Sequence, residues 1–277
     1  MIEYAVESGE RVKAYLLVPH APASVAGRRA AIIAAHQHNG QFHIGKSEPA
    51  GLRGPAMYHY GVDLCRRGFV VLCPDHLAFE QRVARPRATG SPLPELRDRT
   101  FEAFCLGDQL LRGRSLAVKY IFDLCQGIDA LESLDIVDPK RIGIFGHSLG
   151  GQCAMWLAFY DRRIRAAFSS CGFSTLRAVQ RKQIPHNLAS YLPGLMTVGD
   201  VDDAVAGIAP RAFGMSHGRR DPIFPLDGVR EIHRAARAAF PSQRLLTILF
   251  DGPHSLPKSV KTRAYDFLAR HLSPTAS

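Results

Sequence analysis

The stretch RIGIFGHSLGG at residues 141–151 restricts this 277-residue chain more than any other. An apolar run ending at Phe145 passes straight into Gly146-His147-Ser148-Leu149-Gly150, and the apolar stretch QCAMWLAFYD follows. A strand that turns at once into a helix forces the serine into a strained turn. Residues two before and two after it must be small, because strand and helix backbones pass close there. The helix start also aims amide N–H groups at negative charge developing near the serine oxygen. A plain turn whose serine caps the helix is the bland alternative. The apolar strand before and apolar helix after favour an exposed, reactive hydroxyl instead.

The rest of the chain repeats the same alternation. Residues 2–7 and 11–18 flank the turn cluster ESGE and predict an antiparallel hairpin. Continuous apolar runs at 28–36, 69–75, 141–147, 164–171, 211–218 and 244–250 have the pattern of strands buried on both faces. Between them, helical periodicity is predicted near 56–67, through 101–133, after Ser148, at 225–240 and at 255–272. Strands alternating with helices predict an α/β fold with a mostly parallel, doubly wound sheet entered by that hairpin. At this length a single domain over residues 1–277 is expected. The segments near 76–114 and 172–209 break the regularity after strand ends and are the expected pocket walls.

Charge and cysteine usage narrow the class. Lys plus Arg exceed Asp plus Glu by 35 to 25, a net +10, which raises anionic partners as a question. The basic residues are interleaved with acids, as in ELRDRTFE, and no helix-turn-helix or RNA-binding signature is present, so no nucleic-acid partner is expected. The first twenty residues lack a basic segment followed by an apolar core, and no apolar run reaches the 18 or so residues of a membrane span, so neither secretion nor a membrane partner is expected. Cys65, Cys73, Cys105, Cys125, Cys153 and Cys171 are scattered among apolar neighbours and read as reduced core residues of a cytoplasmic protein.

A serine hydroxyl is a poor nucleophile until a base takes its proton, and that base must be held in one tautomer by an acceptor. Ser148 is followed by Asp221 in SHGRRDPIFP and His254 in FDGPHSLP, each just past a predicted strand, at the edge where α/β sheets place their sites. The other candidates fit less well. His217 belongs to a strand end and is expected to pack, and His233 lies in a helix and is expected to be exposed. Asp227 starts a helix, Asp251 sits in a turn, and Asp202 and Asp203 lie in the variable segment. Two convergent amides are needed for an oxyanion, and those of Leu149 and His38 are the candidates. His36 and His38, with Asp75 and His76, admit a metal-pair reading, but no further ligands stand at supporting spacing, so no metal is expected.

The order AHQHNG, CPDHLAFEQR, DPKRIGIFGHSLGG, HGRRDPIFP and DGPHSLP resembles the dienelactone-hydrolase-like and acetyl xylan esterase-like α/β hydrolases over residues 11–270 or so. HQHNG looks like the HGYNG oxyanion loop of the acetyl xylan esterase group, with Gln37 where that group has Gly. In DHLAFEQR, Phe79 precedes Glu80 where the family has Gly. The resemblance implies an α/β-hydrolase fold and a serine ester hydrolase of carboxylesterase or deacetylase type, acting on small or medium acyl groups without a cofactor. A peptidase or amidase of the prolyl-oligopeptidase kind and a non-catalytic binding protein on the same fold are the rival readings. The partner expected is a small-molecule ester. Arg82, Arg85, Arg87, Arg177, Arg181, Lys182, Arg219 and Arg220 lie in or beside the pocket segments and would suit an anionic one. Phe101 and Phe104 serve equally as core or as acyl-pocket wall. The acyl group, the alcohol and the oligomeric state leave no mark on the sequence.

Overall fold

The computed structural model describes residues 1–7, 9–20, 27–89 and 91–274. Eight strands form one sheet: β1 (Ile2–Ala5), β2 (Arg11–Leu17), β3 (Arg29–Ala35), β4 (Val70–Pro74), β5 (Val137–His147), β6 (Ile164–Ser170), β7 (Ala212–Gly218) and β8 (Leu245–Phe250). Their order across the sheet is β1-β2-β4-β3-β5-β6-β7-β8. The first two pairings, β1 with β2 and β2 with β4, are antiparallel, and every later pairing is parallel. The predicted hairpin and the doubly wound parallel sheet are both present.

The continuous apolar runs follow from burial on two sides. Along β3, Ala31, Ile33 and Ala35 enter one apolar cluster while Ala30, Ile32 and Ala34 enter another on the opposite face. Helices α1 (Tyr60–Arg66) and α9 (Lys258–Leu272) supply side chains to the second cluster. The first is closed by α3 (Leu116–Glu132), α4 (Leu149–Tyr160) and α8 (Leu226–Ala239). The pocket segments hold α2 (Asp98–Leu111), α5 (Leu176–Arg181), α6 (Leu195–Val198) and α7 (Val201–Ala206). Among the described residues no helix is long and apolar enough to cross a membrane.

Two expectations need correcting. The helical periodicity over 101–133 belongs to two helices. The chain leaves α2 at Leu111, passes Gly113 at φ +71°, and restarts at α3, where the Ser115 hydroxyl accepts the Val118 amide. Periodicity survives because both helices face the same core, while the left-handed glycine between them breaks the axis. His233 on α8 is buried, not exposed, and its Nε2 lies 3.2 Å from Nδ1 of His217, which is buried as expected.

Candidate functional site

The carboxyl ends of the parallel strands converge on one edge of the sheet, and the elbow stands at its middle. β5 ends at His147 and α4 begins at Leu149, leaving Ser148 at φ +54° and ψ −120°. An L-residue at positive φ is strained, so the surroundings must enforce it. They do so by close approach: a Cβ on Gly146 would run into the Gly150 backbone, and one on Gly150 would run into the carbonyl of Ala35. The Ser148 amide donates to the Ser170 carbonyl at 2.8 Å, fixing the turn against β6.

Asp221 follows β7 and His254 follows β8. His254 Nδ1 and Asp221 Oδ2 are 2.7 Å apart, and the aspartate side chain is almost fully buried. The other carboxylate oxygen accepts the amides of Ile223 at 3.0 Å and Phe224 at 3.2 Å, so Asp221 is held from both sides. A carboxylate at Nδ1 fixes the proton there and leaves Nε2 as acceptor. The imidazole is 20% exposed and lies 4.9 Å from the ring of His147 and 5.7 Å from that of Phe224. The structure thus brings His254 to the residue that precedes Ser148. Burial, and then the neighbouring His254, push His147 well below the ordinary histidine range, so a neutral ring backs the site.

Cys171, read from the sequence as a core residue, is buried but stands beside this pair. Its sulfur and the ligand atoms of Asp221 and His254 all lie within 4.8 Å of one another. Burial, with Asp221 adding to it, pushes the thiol up to about 12, so it stays protonated. With a hydrogen-bond distance already between His254 and Asp221, the trio reads as a thiol packed on that pair.

The loop 36–50 forms the other wall. Both nitrogens of His36 are engaged, Nδ1 at 2.8 Å from the Gln37 carbonyl and Nε2 accepting the His76 amide at 3.1 Å, while Asp75 is bound to Lys46. Of the four candidate metal ligands, His36, His38 and Asp75 are engaged by other groups of the protein, while the buried Nε2 of His76 has no hydrogen-bond partner among the described residues. At the two departures from the family pattern, side chains do specific work. Gln37 Nε2 donates to Glu48 Oε1 at 2.8 Å, and Phe79 packs its ring against His36, His38 and Phe42. His38 Nε2 lies 3.1 Å from Glu102 on α2, a fully buried acid that the sequence concealed among the phenylalanines of FEAF. Of those, Phe101 packs on the core, whereas Phe104 is 58% exposed and stacks on Phe101 at 6.4 Å.

Most of the basic residues proposed for anion binding are already paired. Arg82 is buried between Glu10 and Asp123, Arg177 contacts Asp200, Asp202 and Glu231, Arg181 and Lys182 contact Asp227, and Arg220 contacts Asp251. Behind the His254–Phe224 contact, an apolar cavity of about 20 Å³ is lined by Met155, Trp156, Phe173, His186 and Phe224 among others.

Sheet order and elbow define the α/β-hydrolase fold. The chain belongs to the dienelactone hydrolase family, whose sequence profile matches residues 48–247. It is similar to the YtaP protein of Bacillus subtilis (strain 168), with 28% identity over 240 residues, 84% of this chain and 73% of that protein. Among solved structures it is similar to the Pyrococcus furiosus esterase Pf2001, at a TM-score of 0.61 and 17% identity, covering 98% of this chain and 92% of that one. A Mycobacterium tuberculosis puromycin-hydrolyzing peptidase gives a TM-score of 0.70 at 18% identity, covering 98% of this chain and 39% of the peptidase. A glucuronoyl esterase from Solibacter usitatus gives 0.61 at 13%, covering 95% and 78%. At these identities the structures speak for the fold. Family and curated relative together make the chain a hydrolase of the dienelactone hydrolase type.

Proposed function

We propose that the protein is a serine carboxylesterase or deacetylase that cleaves small or medium acyl esters through an acyl-enzyme. The observation that carries this is the 2.7 Å contact between His254 and Asp221 next to a serine held at positive φ between strand and helix. In this reading His254 Nε2 takes the Ser148 proton as Oγ attacks the ester carbonyl, and the amides of Leu149 and His38 hold the oxyanion. The imidazolium then protonates the departing alcohol. Water, deprotonated by the same ring, attacks the acyl-serine, and the ring passes that proton to Oγ as the acid leaves, which restores the hydroxyl. Asp221 keeps the ring in the productive tautomer throughout.

Replacing Ser148 with Ala should lower p-nitrophenyl acetate turnover by on the order of 10⁴-fold or more with the fold intact. Turnover at the wild-type rate would remove the nucleophile from the proposal. The likeness to the puromycin-hydrolyzing peptidase favours one second reading, amide cleavage by the same groups. Rates across acyl esters of increasing length, set beside dipeptide amides, separate the two.

A further inference from the structure

We propose that Glu102 is a positioning residue for this site: from α2 it holds the His38 imidazole and thereby sets the direction of the loop amide assigned to the oxyanion. The inference rests on the serine-hydrolase reading above and adds to it a group that does not touch substrate.

The bonding around His38 admits one protonation pattern. The Gly40 N–H donates to Nδ1 at 3.0 Å, so that nitrogen carries no proton. The hydrogen therefore sits on Nε2, which donates to Glu102 Oε1 at 3.1 Å. The ring is also packed edge-on against Phe42 at 5.0 Å and Phe79 at 5.1 Å, and those two rings stack on each other. Two hydrogen bonds and two aromatic neighbours leave the imidazole one orientation. Because the ring belongs to the residue whose amide is at issue, fixing the ring restrains the peptide plane that precedes it.

Glu102 is itself fixed. Its side chain is fully buried, and its second oxygen accepts Arg99 Nη1 at 3.2 Å. Arg99 Nη2 in turn donates to the His186 carbonyl at 3.4 Å, and His186 stacks on Phe224, the residue against His254. A single buried carboxylate thus ties the oxyanion loop to the segment that flanks the imidazole of the triad. A buried acid is a poor choice for stability alone, since apolar packing of the same volume does as well or better. Its placement is accounted for if the loop amide must be held to within a few tenths of an ångström, as electrostatic stabilisation requires.

The test compares wild type with Glu102→Ala, Glu102→Gln and His38→Phe, and with the Glu102→Ala, His38→Phe double variant. His38→Phe keeps the ring packing but neither accepts from Gly40 nor donates to Glu102. All are assayed for p-nitrophenyl acetate hydrolysis and for fluorophosphonate labelling of Ser148, with circular dichroism to confirm the fold. Since an oxyanion donor acts in the transition state, Glu102→Ala should lower kcat about 10- to 100-fold with KM changed less than about twofold. Glu102→Gln, which still offers an oxygen to Nε2–H, should recover to within about threefold of wild type. His38→Phe should match the Ala variant, and the double variant should be no worse than either, because both changes break one interaction. Losses that multiply in the double variant, a Gln variant as poor as Ala, or folded variants with wild-type kcat would each overturn the positioning role while wild type remained labelled. If Glu102→Ala fails to fold, His38→Phe decides alone: a fall in kcat at constant KM supports the role, and an unchanged kcat ends it. A wild-type protein that resists the fluorophosphonate would remove the serine-hydrolase reading and this inference with it.

Discussion

Asp221 and Asp75 occupy equivalent places and meet different partners. Each follows the carboxyl end of a parallel strand, β7 for Asp221 and β4 for Asp75, and their side chains are 1% and 0% exposed. Both accept backbone amides: Asp221 those of Ile223 and Phe224, Asp75 those of Lys46 and Gln81. They differ in the partner on the remaining contact. Asp221 faces the neighbouring imidazole of His254 at 2.7 Å, whereas Asp75 faces the buried ammonium of Lys46 at 2.6 Å. Burial pushes the Asp75 carboxyl up to about 6, with Lys46 as the main force opposing it. The strand end supplies geometry to both, and in the proposed function the partner decides whether that geometry becomes chemistry or scaffold.

The sharpest way to break this contrast is to alter the Asp221 partnership without changing its shape. Asp221→Asn keeps the volume but presents an amide to His254 and favours the wrong tautomer. The expected loss in kcat is on the order of 10³- to 10⁴-fold, with thermal stability nearly unchanged. Turnover within tenfold of wild type, measured with p-nitrophenyl acetate beside a thermal melt, would leave Asp221 no different in kind from Asp75.

The matching change on the other side is Lys46→Met. Glu80 Oε1 also contacts the ammonium, at 2.9 Å, and its other oxygen accepts the amides of Gly45 and Ser47. Removing the cation therefore leaves two carboxylates without their counter-charge, one of them fully buried. That should cost about 3–5 kcal/mol in urea unfolding, while the folded enzyme at low temperature keeps kcat within about threefold. A variant as stable as wild type but deficient in turnover would move Lys46 into the catalytic apparatus and erase the distinction.

The same contrast explains what the sequence could and could not disclose. The placement of Ser148, Asp221 and His254 just past strand ends was legible because each lies beside a local signal, the end of a short apolar run, and because the elbow demands small residues at fixed offsets. The strands were legible because burial on both faces leaves unbroken apolar runs such as 28–36. Glu102 was not, since a glutamate in an amphipathic helix reads as solvent-facing and its partner His38 is 64 positions away. The burial of His233 was hidden for the same reason, and that of Lys46 and Lys119 leaves no local mark either. A lysine is read as exposed, yet Lys119 is buried among Glu7, Glu10 and Asp123, all but the last far off in the chain. The break between α2 and α3 was hidden because both helices present one face to a common core. Pairings between distant elements satisfy buried charge without marking either local pattern.

Glu48 supplies the smallest effect and the cleanest control, a buried acid with neither imidazole nor ammonium. Among the described residues its hydrogen-bond partner is the Gln37 amide, and burial pushes the carboxyl from about 4.5 in the open chain up to about 7. Below pH 4.5 both folded and unfolded chains carry this proton, and the group adds no pH dependence. Between pH 4.5 and 7 the unfolded chain has lost the proton while the folded one retains it, so this group's contribution to stability falls as pH rises. Above 7 the carboxylate is ionised in both states and the full penalty, about 3 kcal/mol at most, is present. Glu48→Gln keeps an oxygen for the Gln37 amide and abolishes the titration. The variant should therefore be more stable than wild type by about 1–3 kcal/mol at pH 8, with the gap closing toward pH 4.5. A gap that is constant with pH, or that widens in acid, would show that the folded protein holds Glu48 ionised. Burial beside a neutral partner would then be no different from burial beside a cation.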